Sequence, residues 1–214
     1  MIGIVGGTGD EGLGLALRFA LAGETVIVGS RDKVKAQNSV NSILPLVPAN
    51  LITGNSNEFA CEYAEVVIIS VPFTAHRKTI EYLRPLLEMK IVIDVTVPIL
   101  INKGIVSIAH FPDGSAALET NRLLPHSKVV SAFHSISAKD LLDPNKSIDA
   151  DTVICTNHNS AKNMVVALAE KIEGVRAIYG GNIENSQHTQ HQTALLVNLN
   201  QLYKIRSGIR ITGI

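Results

Sequence analysis

Gly7-Thr8-Gly9-Asp10-Glu11-Gly12 sets three glycines at the spacing G-x-G-x-x-G. That spacing suits a phosphate: it allows a tight bend, close backbone approach to a pyrophosphate, and close packing of helix on strand. Thr8 adds a hydroxyl within the turn. The amides opening the next helix would meet an anion with the positive end of the helix dipole. An ordinary glycine-rich turn is the competing reading. Here the turn follows the apolar run Ile2-Gly3-Ile4-Val5 and precedes a helical pattern through Leu13, Leu15, Ala16, Leu17, Phe19 and Ala20, as a dinucleotide site requires.

A second strand, Thr25–Gly29, ends in Ser30-Arg31, with Lys33 and Lys35 just beyond. An acidic residue at that position would hydrogen-bond a ribose 2′-hydroxyl, whereas a basic one accommodates a 2′-phosphate. Arg31 offers a planar fork, Ser30 a hydroxyl and Lys35 a point charge. The spacing therefore predicts NADP rather than NAD, against the plainer reading of a solvated basic face. Asp32 falls one residue too late for the ribose and is expected to cap the helix that follows.

Histidines supply the remaining candidates. His134 directly follows the buried run Lys128–Phe133 and either orients a second substrate or satisfies the core. His76, in the first turn of a helix after Pro72, is expected beside the cofactor rather than as a catalyst. His188 and His191 share one face of the last helix, but no third ligand accompanies them, so no metal is predicted. A pocket lining or a dimer contact is the reading for that face. His158 reads as loop and cap chemistry. No nucleophile elbow, Walker lysine or carboxylate pair appears, which suits direct hydride transfer with no catalytic acid or base.

Alternating strands and helices position these groups. Glu65–Pro72 and Ile91–Pro98 are apolar without alternation, so both faces must be covered, as in a parallel sheet flanked by helices. Helices are expected from about Lys33 to Ser42, from Asn57 (as cap) to Tyr63, from Thr74 to Glu88, and from Gly114-Ser115 to Leu124. Beyond a polar segment from Lys139 to Asp151 come a strand, a helix, the strand Val175–Tyr179 and a long helix from about Asn185 to Lys204. The expected architecture is α/β, a doubly wound parallel sheet with a small C-terminal α/β extension. The division falls near residue 140, giving units 1–140 and 141–214.

The composition excludes several classes. Nineteen basic and nineteen acidic residues among 214 give no electrostatic footprint for nucleic acid or an anionic membrane. No apolar run approaches the ~20 residues of a membrane span. Cys61 and Cys155 read as buried thiols of a reducing compartment. With the first strand starting directly after Met1, a cytoplasmic location is expected.

Gly6–Gly12, Gly29-Ser30-Arg31 with Lys35, Val95–Pro98, Gly114–Ala117, Ser131–Ile136, Gly181–Ser186 and Gly208–Gly213 together resemble the NADPH-dependent coenzyme F420 reductases, in order and over nearly the whole chain. The resemblance implies a homodimer with a Rossmann domain and a small C-terminal domain that carries the deazaflavin site and dimer contacts. It also implies reversible hydride transfer between nicotinamide C4 and deazaflavin C5. On this chain the implied NADP contacts are Thr8, Gly9, Asp10, Glu11, Gly12, Ser30, Arg31, Lys35, Phe73, Val97 and Ala138. The implied deazaflavin contacts are His134, Ile136 and the segment around Ser207. Phe73 stands where the family commonly has tryptophan, and Ser137 where it has proline. The last helix opens with Gln187, His188, Gln190, His191 and Gln192 in place of apolar residues and a glutamate. Competing classes are an NADPH-dependent flavin or ferric reductase and a non-catalytic NADP-binding module.

Overall fold

A computed structural model describes residues 1–110 and 112–214. The first half runs β1 (Ile2–Val5), α1 (Asp10–Leu21), β2 (Val26–Ser30), α2 (Lys33–Ile43), β3 (Ile52–Ser56), α3 (Asn57–Tyr63), β4 (Val66–Ile69), α4 (Phe73–Leu87) and β5 (Ile91–Asp94). The second runs β6 (Ile99–Asn102), β7 (Ile105–Ile108), α5 (Ala116–Leu123), β8 (Lys128–Ser131), α6 (Ala138–Leu141), β9 (Ala150–Ile154), α7 (Asn159–Ala169), β10 (Val175–Tyr179) and α8 (Ser186–Tyr203).

Six strands form one parallel sheet in the order β3-β2-β1-β4-β5-β8. The alternation of side chains along each strand explains the unbroken apolar runs. Ile4, Ile68, Ile93 and Val130 join the core on the face covered by α1, α2 and α7; Val5, Ile69, Val92 and Val129 join the other, beneath α3, α4 and α5. Strand order reverses beside β1, so the connections leaving β1 and β4 diverge to opposite faces. A crevice opens at the carboxyl ends of these two strands.

The C-terminal residues add a second small parallel sheet of β9 and β10. Reciprocal backbone bonds between Ser131 and Cys155 attach it to the edge of the main sheet. Residues Ile148–Val175 contribute to the same core cluster as β1 and α1. The polar segment after residue 138 is more ordered than its composition implies. It forms α6, and buried Arg18 of α1 donates to the carbonyls of Leu141 (2.9 Å), Asp140 (2.7 Å) and Lys146 (2.7 Å).

Three local expectations need correction. The strands β4 and β5 stop at Ile69 and Asp94, short of Pro72 and Pro98, because their last residues leave the ladder to line the crevice. The cap of α3 is Ser56, whose Oγ accepts from the Phe59 amide (3.1 Å), and not Asn57. The hairpin β6–β7 was not expected at all. Its two-residue turn, Lys103-Gly104, has both φ angles positive, as a type I′ connection demands.

Candidate functional site

The glycine turn is pinned from below. Gly6 has φ +70, a conformation that favours glycine, and its amide donates to Asn57 Oδ1 at 3.0 Å. A Cβ on Gly12 would lie 2.7 Å from Gly7 Cα, so α1 can approach the turn only without a side chain there. By contrast, a Cβ on Gly9 would meet nothing within 4 Å, leaving a backbone concavity open to a ligand. Gly9 caps α1 without a side-chain hydrogen bond, so the first-turn amides are left for water or an anion.

Ser30 and Arg31 stand beside this turn, since the Gly7 amide donates to the Gly29 carbonyl at 2.9 Å. Ser30 Oγ accepts from the Asp32 amide (3.1 Å), and Asp32 caps α2 by accepting from Val34 and Lys35. Arg31, Lys33 and Lys35 are exposed and make no ion pair among the described residues.

A cleft of about 1160 Å³ runs from α1 to the end of α8. Of the residues expected at the site, Gly9, Asp10, Glu11, Phe73, Val97, His134, Ile136, Ala138 and Ser207 line it. Thr8, Gly12, Ser30, Arg31 and Lys35 lie outside its lining: Thr8 in the turn, Gly12 in α1, Ser30 and Arg31 at the end of β2, and Lys35 in the first turn of α2.

Two buried polar groups along the cleft lack hydrogen bonds. Glu11 is half-buried, but its Oε1 is sealed from solvent with no partner, and burial pushes its carboxyl up to about 8. His134 is 8% exposed, and neither ring nitrogen makes a hydrogen bond of good geometry. Burial pulls its imidazole down to about 4, against the smaller opposing pull of Asp94 and the Thr96 backbone. The ring is therefore neutral near pH 7 and keeps one donor and one acceptor for a ligand.

The backbone that places His134 is strained. Phe133 has φ +69, rare for a bulky residue. Its amide donates to Thr152 Oγ1 (2.7 Å), its ring meets Phe19 edge-on at 6.0 Å, and Thr193 Oγ1 donates to the His134 carbonyl (2.9 Å). Contacts from β9, α1 and α8 thus over-determine one turn. Ser135 Oγ also donates to the Asp151 carbonyl (2.7 Å).

His76 is not a lining residue. It is fully buried, with Nε2 2.8 Å from Asp94 Oδ2 and Nδ1 2.9 Å from Glu119 Oε2. Burial opposes its charge, but Asp94 and Glu119 outweigh that and hold it up at about 8. Asp94 Oδ1 accepts from the Thr96 amide (2.9 Å), so this buried triad props the loop that carries Thr96 and Val97 into the cleft. Sequence reading missed it, because Asp94 and Glu119 reach His76 only through the tertiary fold.

On the last helix, the pocket-lining reading of the histidine face does not hold, while an exposed face remains open to a dimer contact. His188 and His191 are exposed and do not line the cleft; His191 Nδ1 lies 2.7 Å from its own helix's Gln187 carbonyl. Gln190 is buried and donates to the Thr96 carbonyl (3.2 Å). Thr193, Leu196, Val197 and Asn200 face the cleft instead. Asn198 brackets β7 by pairing with both the amide and the carbonyl of Val106. Of the apolar residues of α8, Ala194 is buried, whereas Leu195 and Leu202 are 59% and 71% exposed. Cys61 and Cys155 are buried, and burial raises their thiols to about 12 and about 11.

A glycine turn at the strand-order reversal, opening into this cleft, marks a Rossmann-type dinucleotide-dependent oxidoreductase. Residues 1–98 match the family model described as NADP oxidoreductase, coenzyme F420-dependent. The chain is 43% identical to the F420-dependent NADP reductase of Methanothermobacter marburgensis, over 100% of this chain and 98% of that protein. It is 39% identical to the protein of that name from Methanocaldococcus jannaschii, again over 100% of this chain and 98% of the other. The chain belongs to the F420-dependent NADP reductase family. A solved structure described as a candidate F420-dependent NADP reductase from Arthrobacter sp. FB24 shares the fold, with a TM-score of 0.84, 20% identity and 99% of each chain covered.

Proposed function

We propose that this protein transfers hydride reversibly between NADP(H) and coenzyme F420. The observation that carries the reading is a cleft shared by the glycine turn and by His134, Ile136 and Ser207, in a chain whose relatives of that name match it end to end. In this reading residues 1–140 hold the dinucleotide and 141–214 complete the acceptor site. Gly9 and the α1 amides take the pyrophosphate, Ser30, Arg31 and Lys35 the 2′-phosphate, and Phe73, Val97 and Ala138 flank the nicotinamide. His134 and Ile136 seat the deazaflavin. The co-substrates supply the hydride donor and acceptor themselves. The chain's task is to hold two rings at reacting distance and to exclude water.

The neutral His134 orients the acceptor through a hydrogen bond without trapping a proton. Exposed Leu195 and Leu202 on α8, beside Leu100, Ile101 and Ile105 of the hairpin, support a homodimer that covers this surface. Among the described residues no helix is long and apolar enough to cross a membrane, and we place the dimer in the cytoplasm. Mixing the purified protein with NADPH and F420 is expected to bleach the deazaflavin's visible band. Oxidation of NADPH only with a free flavin or a ferric chelate would overturn the reading, as would NADPH binding without turnover.

Glu11 gives this reading a pH signature. As a neutral acid it donates to the pyrophosphate; as a carboxylate it repels it. Raising the pH from 7 to 9, through its value of about 8, is expected to raise the KM for NADPH by about tenfold. Glu11→Gln should flatten that limb. An unchanged limb in the variant would assign the pH effect elsewhere.

A further inference from the structure

One stretch of the cleft carries charge that two apposed rings do not need. Lys139 on α6, Lys146 in the loop after it, and Lys204 and Arg206 directly after α8 all line it. These four cations come from three separate segments, and two of them share one carboxylate. Asp140 Oδ1 takes both Lys146 Nζ (2.9 Å) and Arg206 Nη1 (2.7 Å), which fixes those two in place. Lys139 and Lys204 are exposed and enter no ion pair among the described residues. The chain as a whole is neutral, with nineteen residues of each sign, so this is a local concentration.

Lys204 is also held at φ +54, at a helix terminus where glycine or asparagine is the usual residue. A lysine kept there despite the backbone cost presents an ammonium at the mouth of the cleft. The acidic residues lining the cleft, Asp10 and Glu11, belong to the first turn of α1, the helix against which α6 packs, and neither enters an ion pair with these cations among the described residues.

We propose that Lys139 and Lys204, flanked by the Asp140-fixed Lys146 and Arg206, dock the anionic tail of the acceptor. This rests on the F420 reading: that coenzyme is a deazaflavin carried on a ribityl phosphodiester followed by glutamyl carboxylates. The ring binds between His134 and Ile136, and its tail leaves the cleft across these cations. Exposed charges attract within a Debye length of roughly 8–10 Å, so the contribution is salt-sensitive and adds to acceptor affinity rather than to the chemical step.

The test compares two acceptors, F420 and the same 5-deazaflavin lacking the phosphodiester and glutamyl tail, each reduced by NADPH on the full chain. The kcat/KM ratio of tailed to tail-less acceptor is expected to fall about tenfold in a Lys139→Ala, Lys204→Met double variant. In the native protein, rising ionic strength should raise the KM for the tailed acceptor and leave that for the tail-less one unchanged. This salt comparison decides the matter even if the variant does not fold. A ratio unaffected by the substitutions, or equal salt dependence for both acceptors, overturns the proposal. So does a variant whose KM rises for NADPH instead, since the lysines would then serve the dinucleotide. Reduction of neither acceptor by the native protein would remove the F420 reading as well, whereas reduction of both with equal salt response removes only the tail site.

Discussion

Replacing Arg31 by alanine is expected to lower the preference for NADPH over NADH by about ten- to a hundredfold. Arg31 is exposed at the end of β2, beside the glycine turn, and no carboxylate of the described residues claims it. A charge-assisted contact from a guanidinium to a phosphate contributes about 1.5–3 kcal/mol, and 1.4 kcal/mol is a factor of ten. The loss should appear as a raised KM for NADPH, with NADH kinetics nearly unchanged, because NADH lacks the 2′-phosphate. Steady-state kinetics with both cofactors decides it. If the two shift together, Arg31 acts on the fold of the β2 end and the 2′-phosphate lies elsewhere.

The second large effect concerns stability. Removing the ring in His76→Ala leaves Asp94 and Glu119 facing each other in the core without their shared partner. Breaking a buried pair in this way costs about 3–5 kcal/mol. For a chain of this size that lowers Tm by roughly 10 °C. The native protein should show the same triad through its pH dependence. His76 sits at about 8 in the fold against roughly 6.5 in the unfolded chain. A raised value means that the native state holds the proton more tightly. The stabilisation is complete below pH 6.5 and is lost as the pH rises through 8, by about 2 kcal/mol in all. Denaturant unfolding across pH 6 to 9 measures the slope, and His76→Ala should remove it. A native protein equally stable at both ends of that range would refute the charged triad.

The two kinds of site information were not equally visible in the sequence. The glycine turn, the basic end of β2 and the buried strands are local patterns, written in consecutive residues with fixed spacing. They were legible because a strand, a tight turn and a helix start each have short-range chemical requirements. Asn57 was read as a helix cap, yet it holds the Gly6 amide from 51 positions away. His76 was placed beside the cofactor because its helix starts there, and its partners on β5 and α5 could not be read from its neighbours. Short elements were the other loss. The hairpin β6–β7 has four residues per strand, and its turn carries Lys-Gly rather than the more telling Asn-Gly. On α8 the polar opening suggests a pocket lining or a dimer contact; helix rotation rules out the first by turning His188 and His191 outward and bringing Thr193 and Asn200 to the cleft.

The left-handed residue at Phe133 bears on how fast the protein works as well as where its groups lie. A conformation held by β9, α1 and α8 at once is selected when the chain folds and is not remade at each encounter. Ligands then meet a surface whose geometry is already set, with no slow isomerisation between collision and reaction. Acceptor association should accordingly follow simple second-order kinetics, without the lag or saturation that a closing loop imposes.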